Sequence, residues 1–396
     1  MDIKLAKRVQ RVKPSPTLAV TARAAEMRAA GKDIIGLGAG EPDFDTPEHI
    51  KAAAVEAINA GATKYTPVDG TPALKKAIQA KLKRDNGLDY EANQVLAASG
   101  AKQCLYNLMA AVLDPGDEII VPAPYWVSYP DMALLADGVP QVVEAGQDQR
   151  FKISAEQLGE ALNDRTRLVV LNSPSNPTGT AYSKAELAAL GEVLLGYPEV
   201  VVVTDDIYEH ILWGAEPFSN IVMACPDLKD RTVVVNGVSK AYAMTGWRIG
   251  YAAGPARVIG AMKKIQSQST SNPCSISQAA SVAALDGDQA CVAPMVEAFK
   301  ERHDYVVNRL NAMAGVDCAP CDGTFYCFPN MQEAIDALPD VDDDVALAEY
   351  LIGEAGVALV PGSAFGLPGH ARISYATSME NLEKAMDRLE GVFGAA

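Results

Sequence analysis

The chain has 396 residues, of which 49% are hydrophobic and 21% are charged, a composition that is typical of globular proteins and excludes bulk disorder. At ~150 residues per domain, this length predicts two domains, or at most three. With 34 basic and 50 acidic residues the formal net charge is −16, which disfavours nucleic acid and anionic membrane surfaces as partners.

Seven cysteines are spread thinly along the chain, which is typical of reduced cytoplasmic thiols rather than of a disulfide framework. Cys318 and Cys321 have the spacing of a redox or zinc-binding pair, but the sequence offers no second pair and no nearby histidine. We therefore expect neither a metal site nor a redox role. Because neither a secretory signal nor an apolar stretch of ~18 residues is present, we expect a cytoplasmic protein that does not cross a membrane.

The first ~45 residues contain prolines 14 and 16 and glycines 36, 38 and 40, and this segment is expected to pack against the C-terminal part of the chain. Next, short β-branched runs alternate with amphipathic segments. Strands are predicted over residues 94–99, 118–122, 141–144, 168–172, 200–204, 232–236 and 249–253, and helices over 101–113, 155–162 and 184–195. This alternation predicts a parallel α/β sheet that is buried on both faces.

After about residue 276 the pattern changes to longer helices with a few short strands. Helices are predicted over residues 295–313 and 379–392, and strands over 324–328, 357–360 and 371–375. We therefore predict a large α/β domain over residues 48–294. The second, smaller α+β domain combines residues 1–47 with residues 295–396.

Several common catalytic motifs are missing from the sequence. Glycines 36, 38 and 40 begin like a dinucleotide-binding fingerprint, but the third spacing fails and Glu41-Pro42-Asp43 follows where a helix should open. The chain also lacks a GxxxxGK[ST] phosphate loop, a GxSxG elbow and an HExxH helix.

Polar residues follow three predicted strands at their carboxyl ends, where open α/β sheets place their ligands. Each of these three groups of polar residues, taken singly, is also typical of a turn or a helix cap. Together they offer an amide, a carboxylate with a phenol, and a lysine with an arginine, a set that suits a cationic aromatic cofactor carrying a phosphate. The groups are 172–179, 204–208 and 236–248.

Four strings in the sequence resemble the class I pyridoxal-phosphate aminotransferases, within them the bacterial branch of aspartate and prephenate aminotransferases. They are Asn176-Pro177-Thr178-Gly179, Asp205-Asp206-Ile207-Tyr208, the run 239–251 around Lys240, and Ala371-Arg372-Ile373-Ser374-Tyr375. With Lys13-Pro14-Ser15 and the segment 40–47, the matching strings extend over nearly the whole chain. The resemblance implies the aspartate aminotransferase-like fold, with a mostly parallel seven-stranded sheet flanked by helices.

The resemblance implies pyridoxal 5′-phosphate as cofactor and gives each cofactor-binding residue a role. Lys240 is expected to form a Schiff base and to move a proton, and Asp205 is expected to pair with the pyridinium nitrogen. Tyr208 and Asn176 are expected to bind the ring hydroxyl oxygen. Trp126 is expected to stack on the ring, with Tyr125 as a competitor. The phosphate is expected to contact Gly100, Ala101, Ser239, Arg248 and the Tyr65 of a neighbouring subunit, in a homodimer with shared active sites.

For the substrate, the resemblance implies that Arg372 binds the α-carboxylate, assisted by Asn176, Gly40 and Trp126. Lys102 and Ser15 are associated with dicarboxylic substrates, and Lys13 with prephenate. Both lysines could equally be solvated surface residues. The sequence departs from the family pattern at Asp206, where glutamate is common, and at Gly237, which removes a possible phosphate ligand.

The expected reaction moves an α-amino group between an amino acid, with aspartate favoured, and 2-oxoglutarate in a ping-pong sequence. Prephenate or aromatic amino acids are alternative substrates, and C–S bond cleavage on the same fold is a further alternative. A cofactor-sensing regulator is disfavoured, since such proteins carry an additional basic domain ahead of this fold.

Overall fold

The structure is a computed structural model and describes residues 3–396. Its strands are β1 (Ile35–Gly36), β2 (Val95–Ala98), β3 (Glu118–Ala123), β4 (Val139–Glu144), β5 (Thr166–Asn172), β6 (Val201–Asp205), β7 (Thr232–Gly237), β8 (Gly250–Ala253), β9 (Tyr326–Cys327), β10 (Val357–Ala358), β11 (Val360–Pro361) and β12 (Ala371–Ser374). Its helices are α1 (Lys7–Gln10), α2 (Pro16–Ala29), α3 (Glu48–Asn59), α4 (Pro72–Asn86), α5 (Ala101–Val112), α6 (Ser128–Leu135), α7 (Ala155–Ala161), α8 (Lys184–Leu195), α9 (Ile221–Ala224), α10 (Ala256–Ser267), α11 (Ser275–Asp286), α12 (Ala293–Leu310), α13 (Gln332–Ala337), α14 (Asp344–Tyr350) and α15 (Met379–Phe393).

The central element is a seven-stranded sheet with the strand order β2-β8-β7-β6-β5-β3-β4. Every neighbouring pair is parallel except those of β8, which runs antiparallel to both β2 and β7. Alternate residues of β5 pack into the apolar cores on opposite faces of the sheet. Val169 and Leu171 pack on one face, and Leu168 and Val170 pack on the other. The structure thus confirms the predicted mostly parallel sheet with helices on both sides, and the near-continuous apolar strands are explained by this double burial.

Two small sheets and a separate apolar core belong to the two ends of the chain. β1 pairs in parallel with β10, so the N-terminal segment joins the C-terminal part, and β11, β12 and β9 form an antiparallel sheet. The single strand predicted over 357–360 is in fact two strands in different sheets, because the backbone changes partner at Leu359. The domain boundaries predicted at 47/48 and 294/295 stay a prediction.

Close backbone approach brings β8 against the start of α5. A Cβ on Gly250 would collide with the backbone nitrogen of Ala101, so only glycine permits this packing. Among the helices of residues 3–396, none combines the length and apolar character that a membrane crossing would need.

A buried ion pair holds the turn that follows β6. Lys81 on α4 and Glu209 have side-chain exposures of 1% and 3%, and the lysine ammonium donates to the carboxylate. Asn86 and Asn236 each donate to Glu209 at 2.8 Å. Although Asp85 and His210 also approach Glu209 closely enough to form a cluster of potential metal ligands, the Lys81 ammonium already supplies the positive charge there.

We expect Lys81→Met to lower the free energy of unfolding by about 3 kcal/mol, because it leaves the Glu209 charge buried without a partner. Equilibrium urea unfolding at neutral pH measures this change. Lys81→Met combined with Glu209→Gln should recover more than half of the loss. Lys83→Met on the same helix is the matched control, since Lys83 pairs with Asp89 in solvent. Equal effects of Lys81→Met and Lys83→Met would contradict the stabilising role of the buried pair.

Candidate active site

A cavity of about 480 Å³ lies at the carboxyl ends of β5, β6 and β7. Its other walls come from α2, α5, the loop after β1, and the strands β9 and β12. The predicted site residues that line it are Gly40, Ala101, Lys102, Trp126, Asn176, Asp205, Tyr208, Ser239, Lys240, Arg248 and Arg372. The fold therefore brings together side chains that are far apart in the sequence, while their roles stay predictions.

Asp205 ends β6 and is buried in the cavity wall. Tyr129 on α6 donates a hydrogen bond of 2.7 Å to its Oδ2, and the Asn172 side chain donates to its backbone carbonyl at 2.8 Å. Burial raises the pKa of Asp205 to about 6, and the Tyr129 hydrogen bond opposes this rise. At neutral pH the carboxylate is still mostly ionised, so it can pair with a cationic ring nitrogen.

Asp206 lies beside Asp205 but bonds away from the cavity. It accepts hydrogen bonds from Thr204 at 2.5 Å and from Asn220 at 2.7 Å. This position fits the expectation that the second carboxylate of the motif is not the partner of a cofactor nitrogen.

Lys240 follows β7, and its Nζ donates to the Gly40 carbonyl at 2.5 Å. The same nitrogen lies 5.7 Å from the ring centroids of Tyr208 and Phe325. Burial and the neighbouring cation of Arg372 lower the pKa of Lys240 to about 8. A larger fraction of this amine is therefore neutral at physiological pH than is usual for lysine, as a nucleophile or a proton acceptor requires.

Arg372 on β12 is 2% exposed, yet no carboxylate of the described residues forms a salt bridge with it. Its guanidinium donates to Asn176 Oδ1 at 2.9 Å and to the Gly38 carbonyl at 2.8 Å, while its Nε has no partner among residues 3–396. A buried cation without a counter-ion is costly unless a ligand supplies the negative charge. Arg372 is therefore not part of a salt bridge on the protein surface.

Arg248 and the start of α5 form a second place for an anion. Gly100 precedes α5 with φ 95°, and a Cβ there would collide with the Arg248 guanidinium. The backbone of Arg248 has the left-handed conformation, with φ 56°, and its guanidinium donates to the Thr245 carbonyl at 2.9 Å. A guanidinium beside the N-terminus of a 12-residue helix is an arrangement that holds phosphate groups in many proteins.

Trp126 forms an aromatic wall of the cavity, and Tyr125 does not line it. The Trp126 ring packs edge-on against Tyr129, with ring centroids 5.3 Å apart. Lys102 Nζ lies 4.8 Å from the Trp126 ring centroid, and burial together with Arg248 lowers its pKa. Lys102 thus lines the cavity wall while being exposed to solvent, and its role toward the substrate stays a prediction.

Four predicted residues lie outside the cavity lining, and one of them, Gly100, directly precedes the lining residue Ala101. Tyr65 is 93% exposed. Ser15 shares a hydrogen bond of 2.9 Å with Thr17, a residue that does line the cavity. Lys13 is exposed and lies close to Asp131 on α6. Their proposed roles toward ligand stay predictions.

Sequence reasoning missed several residues that the cavity contains. Tyr129 lies three residues after Trp126 in the sequence, a helical spacing that could have indicated it. Asn172 was named only as part of the polar group 172–179, and it pairs with Asp205 in the register of β5 and β6. Glu41 accepts a hydrogen bond of 2.8 Å from Thr245, and Tyr326 lies between Tyr208 and Arg372. These last contacts join residues that are 46 to 204 positions apart, so no local pattern predicts them.

The cavity thus combines two anion-binding positions with a lysine amine of lowered pKa and a buried carboxylate. These features are typical of enzymes that bind anionic substrates and use a lysine amine. A sequence profile described as aminotransferase class I and II matches residues 32–389. The chain belongs to this family and is an aminotransferase.

Relatives and solved structures agree over the full length. The chain is 57% identical to an aspartate/prephenate aminotransferase of Nitrosomonas europaea, covering 98% of this chain and 99% of that one. It is 52% identical to an aspartate aminotransferase of Geobacillus stearothermophilus, covering 98% of both. The crystal structure of an aspartate aminotransferase from Rhizobium meliloti matches with a TM-score of 0.96, 50% identity and full coverage of both chains. The structure of the Thermus thermophilus aspartate aminotransferase with maleate matches with a TM-score of 0.93 and 45% identity, over 99% of this chain and all of that one.

The lowered pKa of Lys240 gives a direct prediction for the protein without added cofactor. Because only the neutral amine reacts, trace acetylation of Lys240, followed by mass spectrometry across pH, should be half-maximal near pH 8. Arg372→Met should move this midpoint upward, since it removes a neighbouring cation. Exposed lysines in the same digest are the internal reference, with an ordinary pKa of ~10.4. A Lys240 midpoint at the reference value would contradict the proposed environment.

Proposed function

We propose that this aminotransferase uses pyridoxal 5′-phosphate to move the amino group of aspartate to 2-oxoglutarate. The observation that carries the proposal is the buried Arg372 guanidinium, which faces the cavity of Lys240 and lacks a carboxylate partner among residues 3–396. Substrates of an aminotransferase all carry an α-carboxylate, and a guanidinium binds that group in a bidentate geometry.

The residues of the cavity fit this cofactor. Arg248 and the N-terminus of α5 suit its phosphate, Trp126 its ring face, and Asp205 its ring nitrogen. When bound, the cofactor supplies an electron-poor ring that accepts the electrons of a substrate bond. Asp205 as an anion keeps the ring nitrogen protonated, which preserves that property. Tyr208 would donate to the ring hydroxyl oxygen, and Asn176, which accepts a hydrogen bond from Arg372, would bind the same oxygen.

Lys240 serves as covalent anchor and as proton carrier. Its Nζ lies close to the Gly40 carbonyl. Burial lowers the pKa of Lys240 most, the cations Arg372 and Arg248 lower it further, and the anions Glu41 and Asp205 oppose them. As a neutral amine it can take the proton from the substrate Cα and hold it at Nζ. Arg372 fixes the substrate carboxylate, which orients the Cα–H bond toward that nitrogen.

We expect Lys240→Ala to lower turnover of aspartate with 2-oxoglutarate by at least ~10⁴-fold, because it removes the anchor and the base together. The visible absorbance of covalently attached cofactor should disappear as well. A coupled assay of oxaloacetate formation and an absorbance scan measure the two effects. Lys184→Ala, at the exposed start of α8, is the control. Retention of the absorbance band by Lys240→Ala would show that another lysine binds the cofactor.

Lys102 supports a dicarboxylic substrate. It is a cation on the cavity wall, and Arg248 and Arg372 provide positions for the phosphate and the α-carboxylate. The name of the Nitrosomonas europaea relative gives prephenate as a second substrate, and prephenate also carries two carboxylates. We therefore keep prephenate as the alternative acceptor, with Lys13 as its proposed contact.

Lys102→Gln should raise KM for aspartate by about tenfold, the size of one lost charge-assisted hydrogen bond. The KM for alanine, which has no distal carboxylate, should change less than twofold. Steady-state kinetics with each donor, and with prephenate as a competing acceptor, measure the effect. An equal rise for both donors would show that Lys102 does not contact the distal group.

We also propose a homodimer in which the fully solvated Tyr65 reaches the phosphate site of its partner. The support is its 93% exposure, which is unusual for tyrosine in a single chain. Sedimentation equilibrium tests the assembly, since a dimer has twice the 41.9 kDa of one chain. A cytoplasmic location is supported by the seven cysteines, all of which are free thiols.

A further inference from the structure

Tyr326 lies between two groups that the proposed function assigns to different ligands. It is fully buried on β9, and its Oη lies 3.1 Å from the Tyr208 Oη. Its ring centroid is 4.4 Å from the Arg372 guanidinium carbon, and the Phe365 ring centroid is 5.1 Å from the same carbon. In the register of β9 and β12, Tyr326 pairs with Ser374, two residues from Arg372. Tyr326 and Arg372 therefore project from the same face of this sheet.

The hydroxyl groups of Tyr208 and Tyr326 have one proton each to donate. When Tyr208 donates to a ligand oxygen, the contact of 3.1 Å can persist only if Tyr326 donates to Tyr208. A hydroxyl that accepts a hydrogen bond becomes a stronger donor, because each bond polarises the next. The pair can thus act as a short chain that ends at the ring oxygen of the cofactor.

We propose that Tyr326 is a positioning residue that strengthens the hydrogen bond from Tyr208 to the cofactor, while its ring supports the Arg372 guanidinium. This inference rests on the proposed function, since it takes the ligands of Tyr208 and Arg372 from there. The Tyr326 hydroxyl would thus act on cofactor binding through Tyr208, and the Tyr326 ring would act on substrate binding through Arg372.

The hydroxyl role is tested by Tyr326→Phe, which keeps the ring and removes only the oxygen. The hydrogen bond from Tyr208 favours the ionised ring oxygen, so weakening it favours the protonated chromophore. We expect the absorbance titration of the bound cofactor to shift upward by about 0.3 pH unit, roughly a twofold change. The other charged or titratable groups around the pair are unchanged by the substitution: Glu41, Tyr129, Asp205, Lys240, Arg248 and Arg372.

A double-mutant cycle separates this inference from the proposed function. Tyr208→Phe should give the larger upward shift, and adding Tyr326→Phe to it should change nothing further. Tyr375→Phe is the matched control, since Tyr375 is equally buried but bonds to Cys321 Sγ at 3.5 Å. If Tyr208→Phe gives no shift, the proposed contact of Tyr208 with the cofactor is wrong. If Tyr208→Phe shifts the titration and Tyr326→Phe does not, only the role of Tyr326 is refuted.

The ring role is tested by binding of maleate, a dicarboxylate that cannot react, measured by calorimetry with the holoenzyme. Tyr326→Phe should bind maleate within about twofold of the unaltered protein. Tyr326→Leu should bind it about tenfold more weakly, because the cation–π contact is lost. Equal weakening by both variants would overturn the division of roles between ring and hydroxyl. Urea unfolding of each variant checks that it is folded under the conditions in which its maleate affinity is measured.

Discussion

A buried guanidinium without a carboxylate partner in residues 3–396 is the constraint on which the rest of the site depends. Arg372 could bury its charge more cheaply beside a carboxylate, but the fold gives it only Asn176, the Gly38 carbonyl and aromatic rings. These neighbours orient the guanidinium without neutralising it. The charge remains available to an anionic ligand, and it also lowers the pKa of Lys240. Under the proposed function, one uncompensated cation therefore serves to bind the substrate and, together with burial, to lower the pKa of the reacting lysine.

The sheet explains why these groups meet. Parallel strands deliver their carboxyl ends to one edge, so Asn172, Asp205 and Lys240 come together although their positions in the sequence are separated by tens of residues. The antiparallel β8 then returns the chain toward the start of α5, where Gly250 permits the close approach. The same packing brings Arg248 to Gly100, and the two anion-binding positions end up in a single cavity.

The sequence predicted the seven strands of the sheet to within a few residues, because double burial makes most of these strands short apolar runs. The edge strand β4 is the exception, with exposed Val139 and Val142. The strand ends also indicated Asp205 and Lys240 from local patterns. Tyr326 could not be found this way, since its importance depends on contacts with Tyr208 and Arg372 that only the folded chain creates. The division of residues 357–360 into two strands was missed for a similar reason. Pairing partners, rather than residue types, determine where each of these strands ends.

The order of the site residues along the chain has a consequence for synthesis. The lysine, the buried aspartate and the arginine at the helix start all precede residue 249, whereas Arg372 follows Arg248 by 124 residues. A growing chain therefore carries the complete set of sheet-borne groups well before the guanidinium on β12 has been made. Until β10 pairs with β1 and β12 pairs with β9, the two ends of the chain cannot close the cavity. The last wall of the cavity therefore comes from residues that are synthesised well after the sheet that carries Asp205 and Lys240.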